Sequence, residues 1–217
     1  MKKVIVLLSF VCAVLLGNEF ETALKAYGDE FETAIKAYVT GDYQKAFKYY
    51  NLACDNGVYL GCYSLGFLYA NGEGVEQNYT EASKYYKLAC DNGEHGGCYK
   101  LGALYENGQG MKQDYKEAYK YYKLACDNGE YMSCYNLGIL YRDGQGVEQN
   151  YKEAFKYFKI ACDNEIYQGC YNIGVLYENG YGVRQSYSMA KEYFGKACDL
   201  GDKLGCDAFA ELDKDGY

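Results

Sequence analysis

Ten cysteines constrain this chain more than any other feature, because they fall on two ladders with the same step. Cys54, Cys90, Cys126, Cys162 and Cys198 recur every 36 residues, and Cys62, Cys98, Cys134, Cys170 and Cys206 follow them eight residues on. The residues between them recur too. One period reads Cys-Tyr-x-Leu-Gly-x-Leu-Tyr-x-Asn-Gly-x-Gly-Val-x-Gln-Asn-Tyr-x-Glu-Ala-x-Lys-Tyr-Tyr-Lys-x-Ala-Cys-Asp-Asn-Gly. A unit of that length cannot bury its own apolar face alone, so copies must stack on one another.

Each period parses into two helices. The first, over 59–71 in one copy, carries Cys62, Leu65, Gly66, Leu68 and Tyr69 at helical spacing. Gly72 and Gly74 end it, since glycine enters the left-handed exit conformation without a Cβ clash. The second is expected over 80–91, with Asn78 or Thr80 as N-cap and Ala82, Tyr85, Tyr86 and Ala89 as its apolar stripe. Gly66, Gly102, Gly138 and Gly174 recur inside first helices, where glycine costs about 1 kcal/mol against alanine. Their common register predicts close helix contact that offsets this cost. The chain has no proline to break such elements. The expected fold is therefore all-α, a right-handed solenoid of antiparallel helix pairs, with tyrosine rows (Tyr49, Tyr85, Tyr121, Tyr157, Tyr193 and Tyr69, Tyr105, Tyr141, Tyr177) filling its seams.

Cys54 ends one helix and Cys62 begins the next, with Asp55-Asn56-Gly57 turning between them, so the two are expected to face each other across an antiparallel helix pair. The pairing expected is Cys54–Cys62, Cys90–Cys98, Cys126–Cys134, Cys162–Cys170 and Cys198–Cys206, each worth roughly 2–3 kcal/mol through the unfolded chain. The rival pairing of Cys62 with Cys90 and its successors strands Cys54 and Cys206. A zinc site is disfavoured by the seven-residue gap and the single histidine, and no metal or cofactor is expected.

So many cysteines imply an oxidising compartment. Residues 1–18 supply a route to it: Lys2 and Lys3, then the apolar run 4–16, then Gly17 and Asn18, the layout of a signal peptide cleaved after one of the last two. That run is too short to span a bilayer, which takes about 20 residues. Its removal takes Cys12 with it, leaving an even number of cysteines, and moves the net charge from −8 to −10. Such a balance argues against nucleic acid as a partner. The expected product is secreted or periplasmic, and a monomer. Residues 19–41 read as an N-terminal helical extension with an opening helix at 30–39, and 42–217 as the solenoid. The 11-residue stretch 19–29 is nearly copied by 30–40. The last repeat departs from pattern with Ala210 and Asp213, which reads as a cap, and Glu165 stands where other turns have Gly57, Gly93 and Gly129.

The run Leu-Gly-x-x-Tyr-x-x-Gly-x-Gly-Val followed by Ala-x-x-Tyr-x-x-Ala resembles the Sel-one-like repeat, a relative of the tetratricopeptide repeat. With its cysteine pairs, leader and 36-residue period, the chain resembles the secreted Helicobacter cysteine-rich proteins over about residues 30–212. That resemblance implies a penicillin-binding or β-lactamase activity. It names no catalytic residue.

A search for catalytic chemistry finds little. A Ser-x-x-Lys appears once, at Ser188-Met189-Ala190-Lys191, in the register where a second helix begins, and its companion motifs are missing. His95 stands where other repeats have tyrosine, and a surface position is expected. The better pointer is variation between repeats, since invariant positions serve the stack. On first helices, Ser64, Lys100, Asn136 and Asn172 form one varying row and Arg142 belongs to another. In tetratricopeptide-like stacks first helices line the groove, where these side chains suit an extended peptide, a peptidoglycan-like ligand or a protein partner. The alternative is a protein–protein scaffold without catalysis.

Overall fold

The computed structural model describes residues 27–217, and the expected signal peptide and most of the extension after it lie outside these residues. The described chain is helical and divides into two compact units, residues up to Glu94 and residues His95–Tyr217. The first holds α1 (Asp29–Val39), α2 (Tyr43–Asp55), α3 (Tyr59–Asn71) and α4 (Tyr79–Asp91). The second holds α5 (His95–Asn107), α6 (Tyr115–Asp127), α7 (Tyr131–Asp143), α8 (Tyr151–Asp163), α9 (Tyr167–Asn179), α10 (Tyr187–Asp199) and α11 (Lys203–Lys214). Within each unit every helix packs on its neighbours in sequence, so hairpins stack as in a solenoid. Among the described residues no helix is long and apolar enough to cross a membrane.

Local chemistry sets the helix ends. Asn78, Asp114 and Asn150 sit in extended backbone, and each side chain accepts from the amides two and three residues on. Asn78, not Thr80, is therefore the cap, and α4 begins at Tyr79. At first-helix exits Gly72, Gly144 and Gly180 turn left-handed. The turn between α8 and α9 keeps the shape of its counterparts although it lacks their glycine: Glu165 takes φ 65°.

Small residues set the packing distance. A Cβ on Gly138 would lie 2.5 Å from the Phe158 ring, and one on Gly174 2.5 Å from Phe194. Ala118, Ala154 and Ala190 are fully buried at the matching register of second helices, Ala118 with Leu137 and Leu140, Ala154 with Ile173 and Leu176, and Ala190 with Phe194 and Leu212. The close contact inferred from the recurring glycines is that of a helix backbone against a ring face.

Aromatic rings join the layers. Within hairpins, Tyr69 stacks on Tyr85, Tyr105 on Tyr121, Tyr141 on Tyr157 and Tyr177 on Tyr193, with centroids 5.6–5.8 Å apart. Between hairpins, Phe47 meets Tyr69, Tyr119 meets Tyr141 and Phe155 meets Tyr177 edge-on.

The bridges Cys54–Cys62, Cys126–Cys134, Cys162–Cys170 and Cys198–Cys206 tie the second helix of one hairpin to the first helix of the next, with Cα atoms 4.5–4.9 Å apart. Cys90 and Cys98 are disulfide-bonded as well. On the closing helix α11, Leu204 and Phe209 stay 62% and 37% exposed alongside the exposed Asp207, Glu211 and Asp213.

Candidate ligand-binding face

Ser64 lies on α3 in the first unit, donates to the Leu60 carbonyl at 2.9 Å and stands within reach of the Tyr50 hydroxyl. The other predicted residues share the second unit: Lys100 on α5, Asn136 and Arg142 on α7, Asn172 on α9, all half-buried.

Two of them meet directly. Arg142 Nη1 donates to Asn172 Oδ1 at 3.0 Å across two successive first helices, while its Nε and Nη2 donate to Asp143 at 2.7 and 2.9 Å. Asn172 Nδ2 donates to the Gln168 carbonyl at 2.8 Å, and its side chain is within reach of the Tyr135 hydroxyl. Asn136 reaches the hydroxyl of Tyr122, which donates to Glu106 Oε2 at 2.5 Å. Lys100 holds its ammonium 5.1 Å from the Tyr99 ring centroid. These residues vary between repeats, yet they are bonded into the packing rather than free of it.

The phenols here are hydrogen-bond groups, not acids. Burial, then the Glu106 charge, pushes Tyr122 far above the ordinary phenol range, and burial raises Tyr135. The Asp143 hydrogen bond holds Arg142 charged.

Helical geometry orders the face into three rows one turn apart. Lys100, Asn136 and Asn172 form the first. Ala103, Ile139 and Val175, partly buried against the core, form an apolar strip three residues on. Glu106, Arg142 and Glu178 form the third, also half-buried. The site residues chosen from sequence did not include Glu106. Its signal was available: only Tyr122 in this unit carries a hydroxyl at a position where Phe158 and Phe194 are its counterparts.

The outer face of the second helices is different. Its charges close local pairs three or four residues apart, such as Lys84–Glu81 at 2.6 Å and Lys87–Asp91 at 2.7 Å, and Lys123–Asp127. Exposed pairs of this kind contribute little. A shallow recess of about 550 Å³ on the loop side, lined by Tyr105, Met111, Lys112 and Tyr115 among others, includes Asp114, already committed as the α6 cap.

The Ser-x-x-Lys pair does not assemble. Ser188 is exposed in the first turn of α10, and Lys191 donates to Asp213 Oδ1 at 2.6 Å and to the Tyr217 carbonyl. His95 begins α5 half-buried, with Nδ1 shielded and lacking a hydrogen-bond partner, where a surface position was expected.

The Sel1 repeat profile matches residues 23–58, 60–94, 95–130, 132–165 and 168–202. The chain belongs to the Sel1 repeat family. Among solved Sel1 repeat structures, the chain is similar to c5321, a protective antigen of uropathogenic Escherichia coli strains. Identity is 25% and the TM-score 0.82, over 91% of this chain and 43% of that one. The chain thus spans less than half of that antigen. A Sel1 repeat protein from Oxalobacter formigenes is 27% identical with a TM-score of 0.78, over 83% of this chain and 74% of that one. Helicobacter pylori cysteine rich protein B is 29% identical with a TM-score of 0.48, over 58% of this chain and 91% of that one. Comparison with curated proteins gives no match.

Proposed function

We propose that this Sel1 repeat protein is an exported interaction module that grips an extended peptide segment, from a partner protein or a cell-wall stem peptide, on the first-helix face of residues 95–217. One observation carries the reading. The Arg142–Asn172 bond between successive first helices holds polar groups at fixed positions beside the half-buried strip Ala103, Ile139 and Val175. A backbone laid along such a face finds amide donors and acceptors on one side and apolar contact beneath. Export is supported by the disulfides, which persist in oxidising compartments, and by the leader-like segment 1–18.

The test is selection of phage-displayed random peptides on the oxidised full chain, followed by affinity measurement on Asn136→Ala/Asn172→Ala. Two lost hydrogen bonds worth about 0.5–1.5 kcal/mol each should weaken the selected peptides roughly five- to a hundredfold. The same change removes one of the three Arg142 hydrogen bonds and the Asn136 contact of the Tyr122 hydroxyl, so stability should also drop by about 1 kcal/mol. Peptides that bind parent and double variant equally would place the ligand elsewhere.

A further inference from the structure

We infer that this face selects a polyproline-II segment whose charged residues run basic, acidic, basic at three-residue intervals. The inference rests on the peptide-binding reading above and specifies its ligand.

The third row of the face alternates in sign: Glu106 on α5, Arg142 on α7, Glu178 on α9, each one repeat from the last and each half-buried. The 3.0 Å bond from Arg142 to Asn172 joins side chains of α7 and α9, so these successive first helices stand within side-chain reach of each other. Packed helices lie about 8–10 Å apart. A polyproline-II chain rises about 3.1 Å per residue with three residues per turn, so one turn covers roughly 9 Å. Its residues i, i+3 and i+6 therefore share an edge and advance one repeat at a time. A β-strand has a side-chain period of two and would turn every second such residue away.

The groups facing that edge retain capacity. Glu106 accepts from Tyr122, yet a carboxylate has about four lone-pair sites. Arg142 uses three of its five donors on Asp143 and Asn172, which fixes the plane of its fork. Asp143 offsets part of the Arg142 field, so the central acidic residue is read through the remaining N–H groups. Residues between the charges lie over Ala103, Ile139 and Val175, which favours small aliphatic side chains or proline there.

The probe is a fluorescein-labelled Lys-Val-Pro-Glu-Val-Pro-Lys-Val-Pro peptide, against the permuted Glu-Val-Pro-Lys-Val-Pro-Lys-Val-Pro of identical composition and net charge. Anisotropy is read on the oxidised full chain at low salt. The first peptide should bind about tenfold or more tightly than the second, and the gap should shrink as salt screens it. The variant Glu106→Gln/Arg142→Gln, which keeps an acceptor for Tyr122 and a donor for Asn172, should bind both alike. If the parent holds both peptides equally and Asn136→Ala/Asn172→Ala weakens both, the groove stands and the charge register is wrong. If the preferred peptide is indifferent to Asn136→Ala/Asn172→Ala, the groove itself is wrong. If neither peptide binds, the charge register is refuted, while the library selection still judges the groove.

Discussion

Replacing Gly138 with alanine sets two effects of known sign against each other. Alanine is the better helix former by about 1 kcal/mol in a helix interior. Its Cβ, however, would sit 2.5 Å from both Cδ1 and Cε1 of Phe158, about 1 Å inside ordinary carbon contact. Phe158 cannot retreat, because its ring is fully buried and leans on Tyr135 at 5.9 Å. Overpacking of this kind costs about 1–3 kcal/mol, and such a short approach belongs at the upper end. The net expectation is a loss of roughly 2 kcal/mol, read from urea denaturation of the oxidised protein by far-UV circular dichroism. Gly195→Ala is the control. Its Cβ would lie 3.2 Å from Phe209, a ring 37% exposed and able to yield, so the change should be neutral or stabilising by up to about 1 kcal/mol. In a Phe158→Leu background the Gly138→Ala penalty should shrink by at least about 1 kcal/mol, the coupling expected of residues in contact. A Gly138→Ala protein as stable as its parent would refute the argument that ring contact dictates glycine at this register.

Glu165→Gly should raise stability by about 1 kcal/mol, because Glu165 holds a left-handed φ of 65° that costs a side-chain-bearing residue about that much; a lowered urea midpoint would refute this. Ser133→Ala should also stabilise by about 1 kcal/mol, since the Ser133 hydroxyl is fully buried without a partner, and a loss in the same titration would show that it has one. Burial holds Tyr50, Tyr86 and Tyr122 above the ordinary phenol range and Tyr157 up to about 12. These phenols keep their protons in the folded chain while the unfolded chain releases them near pH 10, so stability is full below about pH 10 and falls as pH rises toward 12. A urea midpoint unchanged between pH 9 and about 11.5 would contradict the assignment. Ser188→Ala should leave turnover of a chromogenic cephalosporin within about threefold, under roughly 1 kcal/mol in the barrier, and a thousandfold loss with intact folding would make Ser188 a nucleophile.

Helix positions were legible because five copies of one pattern average out local ambiguity: α3 spans Tyr59–Asn71 where its spacing placed it, and α4 starts one residue early only because Asn78 proved the better cap. The turn at Glu165 was doubtful from sequence, since preference for glycine is an energy, not a prohibition, and two bridged helices hold the backbone there. The face was legible as a set of registers and not as a set of bonds. Arg142 and Asn172 are thirty residues apart, and only the distance between stacked helices decides that they touch. Glu106 shares the varying row of Arg142 but was left out of the chosen site, since its bond to Tyr122, sixteen residues on in another helix, shows only in the packing.

The disulfides carry a kinetic consequence. Cys126 and Cys134 close a loop of nine residues, whereas the nearest wrong partner for Cys134 in the next repeat, Cys162, closes one of twenty-nine. Closing the longer loop costs about 1 kcal/mol more in chain entropy. In the export proposed above, each native pair would also emerge together as the chain is threaded from its N-terminus, before the competing thiol of the next repeat arrives. Oxidation can then proceed repeat by repeat, with each bond made by its own neighbours and little demand for an isomerase to correct it.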